Sequence, residues 1–325
     1  MRASTFLAVL AGLVAISLVV SACGDASGEP GGSEVSAVAT TTQVGDLLRN
    51  VGGDRVEVHT LLGPKADPHG YEPKPSDVAS IADAALVVRS GGDLDEWLEE
   101  LIDNAGGDAR EMTLIDSVRT IKGDREDEQE AAPDAEEDGE VDPHWWQDPR
   151  NAVLAVRAIE RELIDIDPKG RPTYERHADA YIKRLRRLDK SIAACMQKVP
   201  VDRRKLVTTH DALGYFARRY DVEIVGAIIP SLSTQAQPSA RDVNELVEQI
   251  RSEGVNAIFP ETALNAKLES AISREANATV GDSLWGDALG PDGSDGETYL
   301  EAMASNTAAM VKGMTAGEVS CRPQV

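Results

Sequence analysis

Lys205-Leu-Val-Thr-Thr-His210 reads as a strand running straight into a histidine, and the alternation that surrounds it decides the fold class. Ala212 to Tyr220 carries helical spacing, Glu223 to Ile228 is again β-branched and apolar, and Ser239 to Glu253 returns to the helical period. Strands separated by helices predict parallel pairing, because a parallel pair needs a long crossover connection. Ala257 to Pro260 continues the series as a short strand, Lys267 to Ala276 as a helix and Thr279-Val280 as a strand, with Asp282 just beyond. Sheets of this kind gather ligands at the carboxyl ends of their strands, which is where His210 and Asp282 fall.

The first half of the chain has the same style. Val35 to Thr41 is a short strand, Val44 to Val51 has helical spacing, and Arg55 to Leu62 alternates as a strand that ends at Gly63-Pro64. Pro75-Ser76-Asp77 opens a helix leading to the strand Ala85 to Arg89; Leu94 to Ala105 then reads as a helix and Met112 to Ile115 as a strand. Asn151 to Ile164 is helical, and Arg171 to Lys198 places Tyr174, Ala178, Tyr181, Leu185, Leu188 and Ile192 at steps of three and four. At 1.5 Å per residue that last helix would span roughly 42 Å, longer than one domain needs. The expectation is an α/β chain of two lobes, 35–170 and 199–325, each with a mainly parallel sheet flanked by helices, joined by a helix over 171–198.

Only five histidines are available to do chemistry, and two of them sit in identical tripeptides, Asp67-Pro68-His69 and Asp142-Pro143-His144. Proline fixes its own φ and pushes the residue before it to an extended conformation, so both histidines are expected on stiff turns. With His210 they make three widely separated imidazoles, the pattern of a preformed metal site assembled by the fold. His177, on the long helix, and His59, at an alternating strand position, belong to no such motif and are expected to be ordinary surface or satisfied histidines. Glu261, in Phe259-Pro-Glu-Thr262 at a strand end, is a carboxylate candidate for the site or for a structural hydrogen bond.

The remaining features bound the setting. Residues 1–22 combine Arg2 with an apolar run from Phe6 to Val20, the composition of a secretory signal. Val20-Ser-Ala-Cys23-Gly24 resembles the bacterial lipobox, which makes Cys23 the expected lipidated residue and 23–34 a flexible tether to a membrane. A net charge of -23 makes nucleic acid an unsuitable partner. Much of that charge is concentrated in an acidic loop over 124–140, read as a solvated insertion, with cation collection as the functional alternative. In an oxidising compartment Cys195 and Cys321 are expected to pair.

Four segments together carry a resemblance: Asp67-Pro-His-Gly-Tyr-Glu-Pro-Lys-Pro-Ser-Asp77, Asp142-Pro-His-Trp-Trp-Gln-Asp-Pro-Arg-Asn151, Thr209-His-Asp-Ala-Leu-Gly-Tyr-Phe-Ala217 and Gly281-Asp-Ser-Leu284. They resemble, in order and over nearly the whole mature chain, the ligand segments of the metal-binding lipoproteins of bacterial ABC importers for zinc and manganese. The resemblance implies His69, His144, His210 and Asp282 as ligands, a rigid central helix with the metal in the cleft, a membrane permease as partner and a monomeric binding protein. Manganese members tend to have Glu at the third ligand and zinc members His; here it is His210. Three imidazoles and one carboxylate suit a tetrahedral, borderline-soft ion, so Zn²⁺ is expected, with Mn²⁺ as the alternative. Two departures stand out: the loop before the second ligand is acidic, without the histidines many zinc members carry, and Asp282-Ser-Leu-Trp-Gly-Asp287-Ala-Leu-Gly290 looks long, so that Asp287 competes with Asp282.

Other classes share parts of this pattern. Three histidines with Glu261 or Asp211 as a general base would suit a catalytic zinc, but no His-Glu-x-x-His spacing or nucleophile motif is present, and no enzyme is expected. A metallochaperone or an adhesin would use the same ligands as a transport protein.

Overall fold

The computed structural model describes residues 34–123 and 140–325; the expected signal, the lipidated Cys23, its tether up to residue 33 and the acidic loop up to residue 139 lie outside the described residues. Four parallel strands, β1 (Val35–Ala39), β2 (Val56–Thr60), β3 (Leu86–Arg89) and β4 (Arg110–Thr113), form the first sheet in the order β2-β1-β3-β4. In the second half β5 (Lys205–His210) pairs in parallel with β6 (Glu223–Ile229), and β7 (Ala257–Ile258) with β8 (Thr279–Val280). A single parallel bridge from Thr208 to Phe259 joins these two ribbons, giving the order β6-β5-β7-β8. Both lobes therefore repeat one strand order.

The connecting helices begin where the sequence offers caps. In α1 (Thr42–Gly52) the Thr41 hydroxyl accepts from the Val44 amide, and the helix ends at Gly53, whose φ of 55° a side chain would resist. Pro75 occupies the first turn of α2 (Pro75–Ala82), where its missing amide costs nothing, and Asp77 accepts from the Lys74 amide. Asp148 caps α4 (Pro149–Ile166), and Ser239 with Asp242 forms a reciprocal box at the start of α7 (Ala240–Glu253). Helices α3 (Trp97–Ala105), α6 (Gly214–Tyr220) and α8 (Lys267–Ala276) complete the crossovers.

Helix α5 (Arg171–Met196) is the expected spine, about 39 Å long at 1.5 Å per residue. Its Tyr174, Ala178, Leu185, Leu188 and Ile192 share one apolar cluster with Leu47 and Leu86 of the first lobe and with Leu206, Phe216 and Phe259 of the second. The last helix, α9 (Tyr299–Met314), returns from the second half to pack on α5 and α1, and the Tyr299 hydroxyl donates to the Trp146 carbonyl at 2.6 Å. Cys195, near the end of α5, is bridged to Cys321 with the Cα atoms 5.5 Å apart, so the tail after α9 is fastened to the spine. Strand β4 begins two residues before the expected Met112 and ends two before the expected Ile115, where Leu114 and Ile115, both buried, lead into a 3₁₀ turn.

Candidate metal centre

Two of the three histidines are presented by the same device. In each Asp-Pro-His turn the aspartate Oδ1 accepts the amide of the histidine two residues on, at 3.0 Å for Asp67 to His69 and 2.8 Å for Asp142 to His144. These Asx turns, together with the proline, fix where each histidine leaves the backbone. His210 needs no turn, since it is the last residue of β5 and its amide donates to Glu261 Oε1 at 3.1 Å.

Carboxylates also select which ring nitrogen is offered. His144 Nδ1 donates to Asp142 Oδ1 and His210 Nδ1 to Glu261 Oε1, both at 2.7 Å. A proton held at Nδ1 leaves the lone pair on Nε2, and these are the nitrogens that face the centre. Asp142 and Glu261 act through the imidazoles they hold; the sequence contained both residues, but only the fold reveals which ring each one faces.

The four groups that converge are His69, His144, His210 and Asp287, with one potential ligand atom of each lying within 4.8 Å of the others. Asp287 Oδ2 is 3.3 Å from His69 Nε2 and 3.2 Å from His210 Nε2, Asp287 Oδ1 is 3.5 Å from His144 Nε2, and the Nε2 atoms of His144 and His210 are 3.3 Å apart. Two of these atoms, His69 Nε2 and Asp287 Oδ1, are buried without a hydrogen bond. Buried polar atoms without a partner cost free energy unless something between them satisfies them.

Asp282, expected as the fourth ligand, is not there. Its side chain is 60% exposed and paired with Lys312 at 2.8 Å, whereas the Asp287 side chain is 3% exposed. The reason is the path of the loop after β8. The Gly286 carbonyl accepts from Gln43 Nε2 at 3.3 Å, Trp146 Nε1 at 3.2 Å and Gln147 Nε2 at 3.4 Å, and the Leu289 amide donates to the Thr42 hydroxyl at 2.8 Å. The first lobe thus draws the loop across and seats Asp287 among the histidines. Gly286 allows close passage: a Cβ there would lie 2.5 Å from Glu261 Oε2. His59 is exposed on β2, and His177 Nδ1 meets the Val51 carbonyl at 3.2 Å, away from the cluster.

The charges are strongly coupled. Burial alone would lower the pKa values of His144 and His210, but Asp287 and Asp142 raise that of His144, and Glu261 and Asp287 hold that of His210 well above the usual imidazole range. Burial would raise Asp287, yet His210 and His144 hold it well below the usual carboxylate range. The cluster is arranged to keep a carboxylate ionised beside imidazoles that a cation or protons must satisfy.

The chain is also similar to known metal-binding proteins. Residues 37–313 match the family model described as zinc-uptake complex component A, periplasmic. The manganese-binding lipoprotein MntA of Halalkalibacterium halodurans is 28% identical over 305 residues, covering 93% of this chain and 97% of the relative. The manganese ABC transporter substrate-binding lipoprotein PsaA of Streptococcus pneumoniae is 26% identical, covering 94% and 97%. Among solved structures, the periplasmic zinc binding protein TroA from Treponema pallidum superposes with a TM-score of 0.77 at 27% identity, covering 87% of this chain and 99% of that one.

Proposed function

Because the chain belongs to the family of the periplasmic zinc-uptake complex component A, we propose that it captures Zn²⁺ outside the cytoplasm and delivers it to an ABC permease. The relatives it matches are substrate-binding proteins of ABC metal transporters, not enzymes. The observation that carries the reading is the cluster of His69, His144, His210 and Asp287, the proposed ligands, with two buried polar atoms that make no hydrogen bond.

Zinc over manganese rests on the donor set. A tetrahedral site with Zn–N bonds of about 2.0–2.1 Å has ligand atoms about 3.3 Å apart. Four of the separations in this cluster, taken with both Asp287 oxygens, run from 3.2 to 3.5 Å, and one ligand atom of each residue lies within 4.8 Å of the others. Three nitrogens and one carboxylate also leave too few oxygens for the coordination Mn²⁺ prefers. The second reading, Mn²⁺ as cargo, is favoured by the names of the relatives, MntA and PsaA among them. Purification under native conditions with metal analysis, followed by competition of Zn²⁺ and Mn²⁺ against a chelator of known affinity, tests the choice. Zinc retention with at least a hundredfold preference is the expected result; equal or tighter manganese binding overturns it.

The setting follows from the same proposal. A lipid on Cys23 would tether a monomer to the membrane that holds the permease, with 35–170 and 199–325 as lobes on either side of the linking helix 171–198. No helix among the described residues is long and apolar enough to cross a membrane.

A further inference from the structure

The two Asp-Pro-His turns are identical in sequence, yet their aspartates make different contacts. Asp142 uses Oδ1 for both the amide and the Nδ1 of His144, so turn and ring are held by one carboxylate from within the same tripeptide. Asp67 holds the His69 amide with Oδ1. Its other oxygen reaches across the cleft: Asp67 Oδ2 accepts from the Thr234 hydroxyl at 2.7 Å. Thr234 is 167 residues away, in the loop after β6, and is 9% exposed. That loop is folded on itself by Ser233, whose amide donates to the Ser231 hydroxyl at 3.1 Å and whose own hydroxyl accepts from the Gln235 amide at 3.3 Å. It also rests on the turn, since a Cβ on Gly70 would lie 2.6 Å from Gln235 Nε2.

We propose that Thr234 is a positioning residue for the metal centre: its hydroxyl, on the second lobe, fastens the Asp67 turn of the first and so holds the His69 arm against the other three ligand groups. The inference rests on the reading of these four residues as the metal site. His144 and His210 are each oriented by a carboxylate of their own, and Asp287 by a loop anchored through Gly286. The second lobe holds the backbone of the Asp142 turn through the Tyr215 hydroxyl, which donates to the Asp142 carbonyl at 2.8 Å, whereas it holds the Asp67 turn through the aspartate side chain itself. A hydrogen bond to a carboxylate is among the stronger neutral-to-charged contacts, and removing it frees the arm without removing a ligand. The bond then governs the release of metal more than its capture, because three preformed ligands remain to catch an incoming ion.

The test loads the exported protein with Zn²⁺ alone and follows its transfer to an excess of chromophoric chelator by stopped flow. Thr234→Val, which keeps the shape and loses the hydroxyl, is expected to release zinc about tenfold faster, in line with loss of one charge-assisted hydrogen bond. Thr234→Ala should do the same, and Thr234→Ser should restore the wild-type rate. Zinc release unchanged in Val and Ala variants of a protein that binds zinc overturns the role of Thr234 while leaving the centre intact. Equal acceleration in all three variants, Ser included, also overturns it, since the hydroxyl would then not be the operative group. Should the Val variant fail to fold, the Ala and Ser pair decides. A wild-type protein that takes up no zinc overturns the reading of the centre and this inference with it.

Discussion

The two lobes share a strand order but not a way of building it. The first has a continuous ladder of four strands, each four or five residues long. The second has one long pair, β5 and β6, and a second pair only two residues long, joined to the first by one bridge. Chain that the first lobe uses in strands, the second uses in loops after β7 and β8, and those loops carry Glu261 and Asp287. The site is correspondingly asymmetric: the first lobe offers histidines on Asp-Pro-His turns that Thr234 and Tyr215 of the second lobe brace, while the second offers His210 from a strand end and Asp287 from a loop that the first lobe holds in place. Regular structure suffices to place one of these side chains, and contacts between lobes place the other.

Given that asymmetry, the second lobe should depend most on covalent and long-range support. Replacing Cys195 and Cys321 by Ser is expected to lower unfolding free energy by about 4–5 kcal/mol in the chain-entropy model for a loop of this length, measured by urea denaturation. A loss under about 1 kcal/mol would mean the lobe needs no such support.

Next in size, His210→Ala and Asp287→Ala should each weaken zinc binding by at least a hundredfold, about 2.7 kcal/mol, in chelator competition. Asp282→Ala, His59→Ala and His177→Ala should leave it within about twofold, since these residues face solvent or a backbone carbonyl. A comparable loss at Asp282 would show that the loop after β8 is seated differently from the path described here.

Gly286→Ala is expected to cost about 1–3 kcal/mol of stability by pressing on Glu261, and to weaken zinc binding through the displaced Asp287. Wild-type behaviour on both measures would indicate that the loop yields without moving the carboxylate.

The remaining handle is pH. His144 and His210 have raised pKa values in the metal-free fold, so their protonated forms add stability that is fully present below the unfolded imidazole value of about 6.5 and is lost as pH rises through the raised values. Metal binding must expel those protons, so zinc affinity and the zinc-induced rise in melting temperature should both grow from pH 6 to pH 8, with affinity changing by up to about tenfold per unit for each proton displaced. Calorimetry in buffers of different ionisation enthalpy would register the protons, and a flat profile would remove the imidazoles from the first rank of ligands.

Sequence alone went far where local rules govern. The β-branched runs before His210 and around Val35 became β5 and β1, the spacing from Tyr174 to Ile192 became α5, and the repeated Asp-Pro-His marked two histidines that do converge. Cys195 and Cys321 were legible as a pair because only one partner was available once Cys23 was assigned to lipidation. It failed at Asp282, because the loop after β8 has no periodicity and its course is set by Gln43, Trp146 and Gln147 from far along the chain. It also saw the prolines of the two turns but not the role of their aspartates, since Asp67 and Asp142 differ only in what the folded lobes bring against them.

One apolar cluster runs without a break from Val35 and Leu47 through α5 to Phe259 and Met310. Among the described residues, the smaller clusters particular to one lobe, around Ile250 in the second and Ile81 in the first, flank this shared core. Heating should accordingly produce a single calorimetric transition whose measured enthalpy equals its van't Hoff enthalpy, so that a protein with two sheets behaves, thermodynamically, as one cooperative unit.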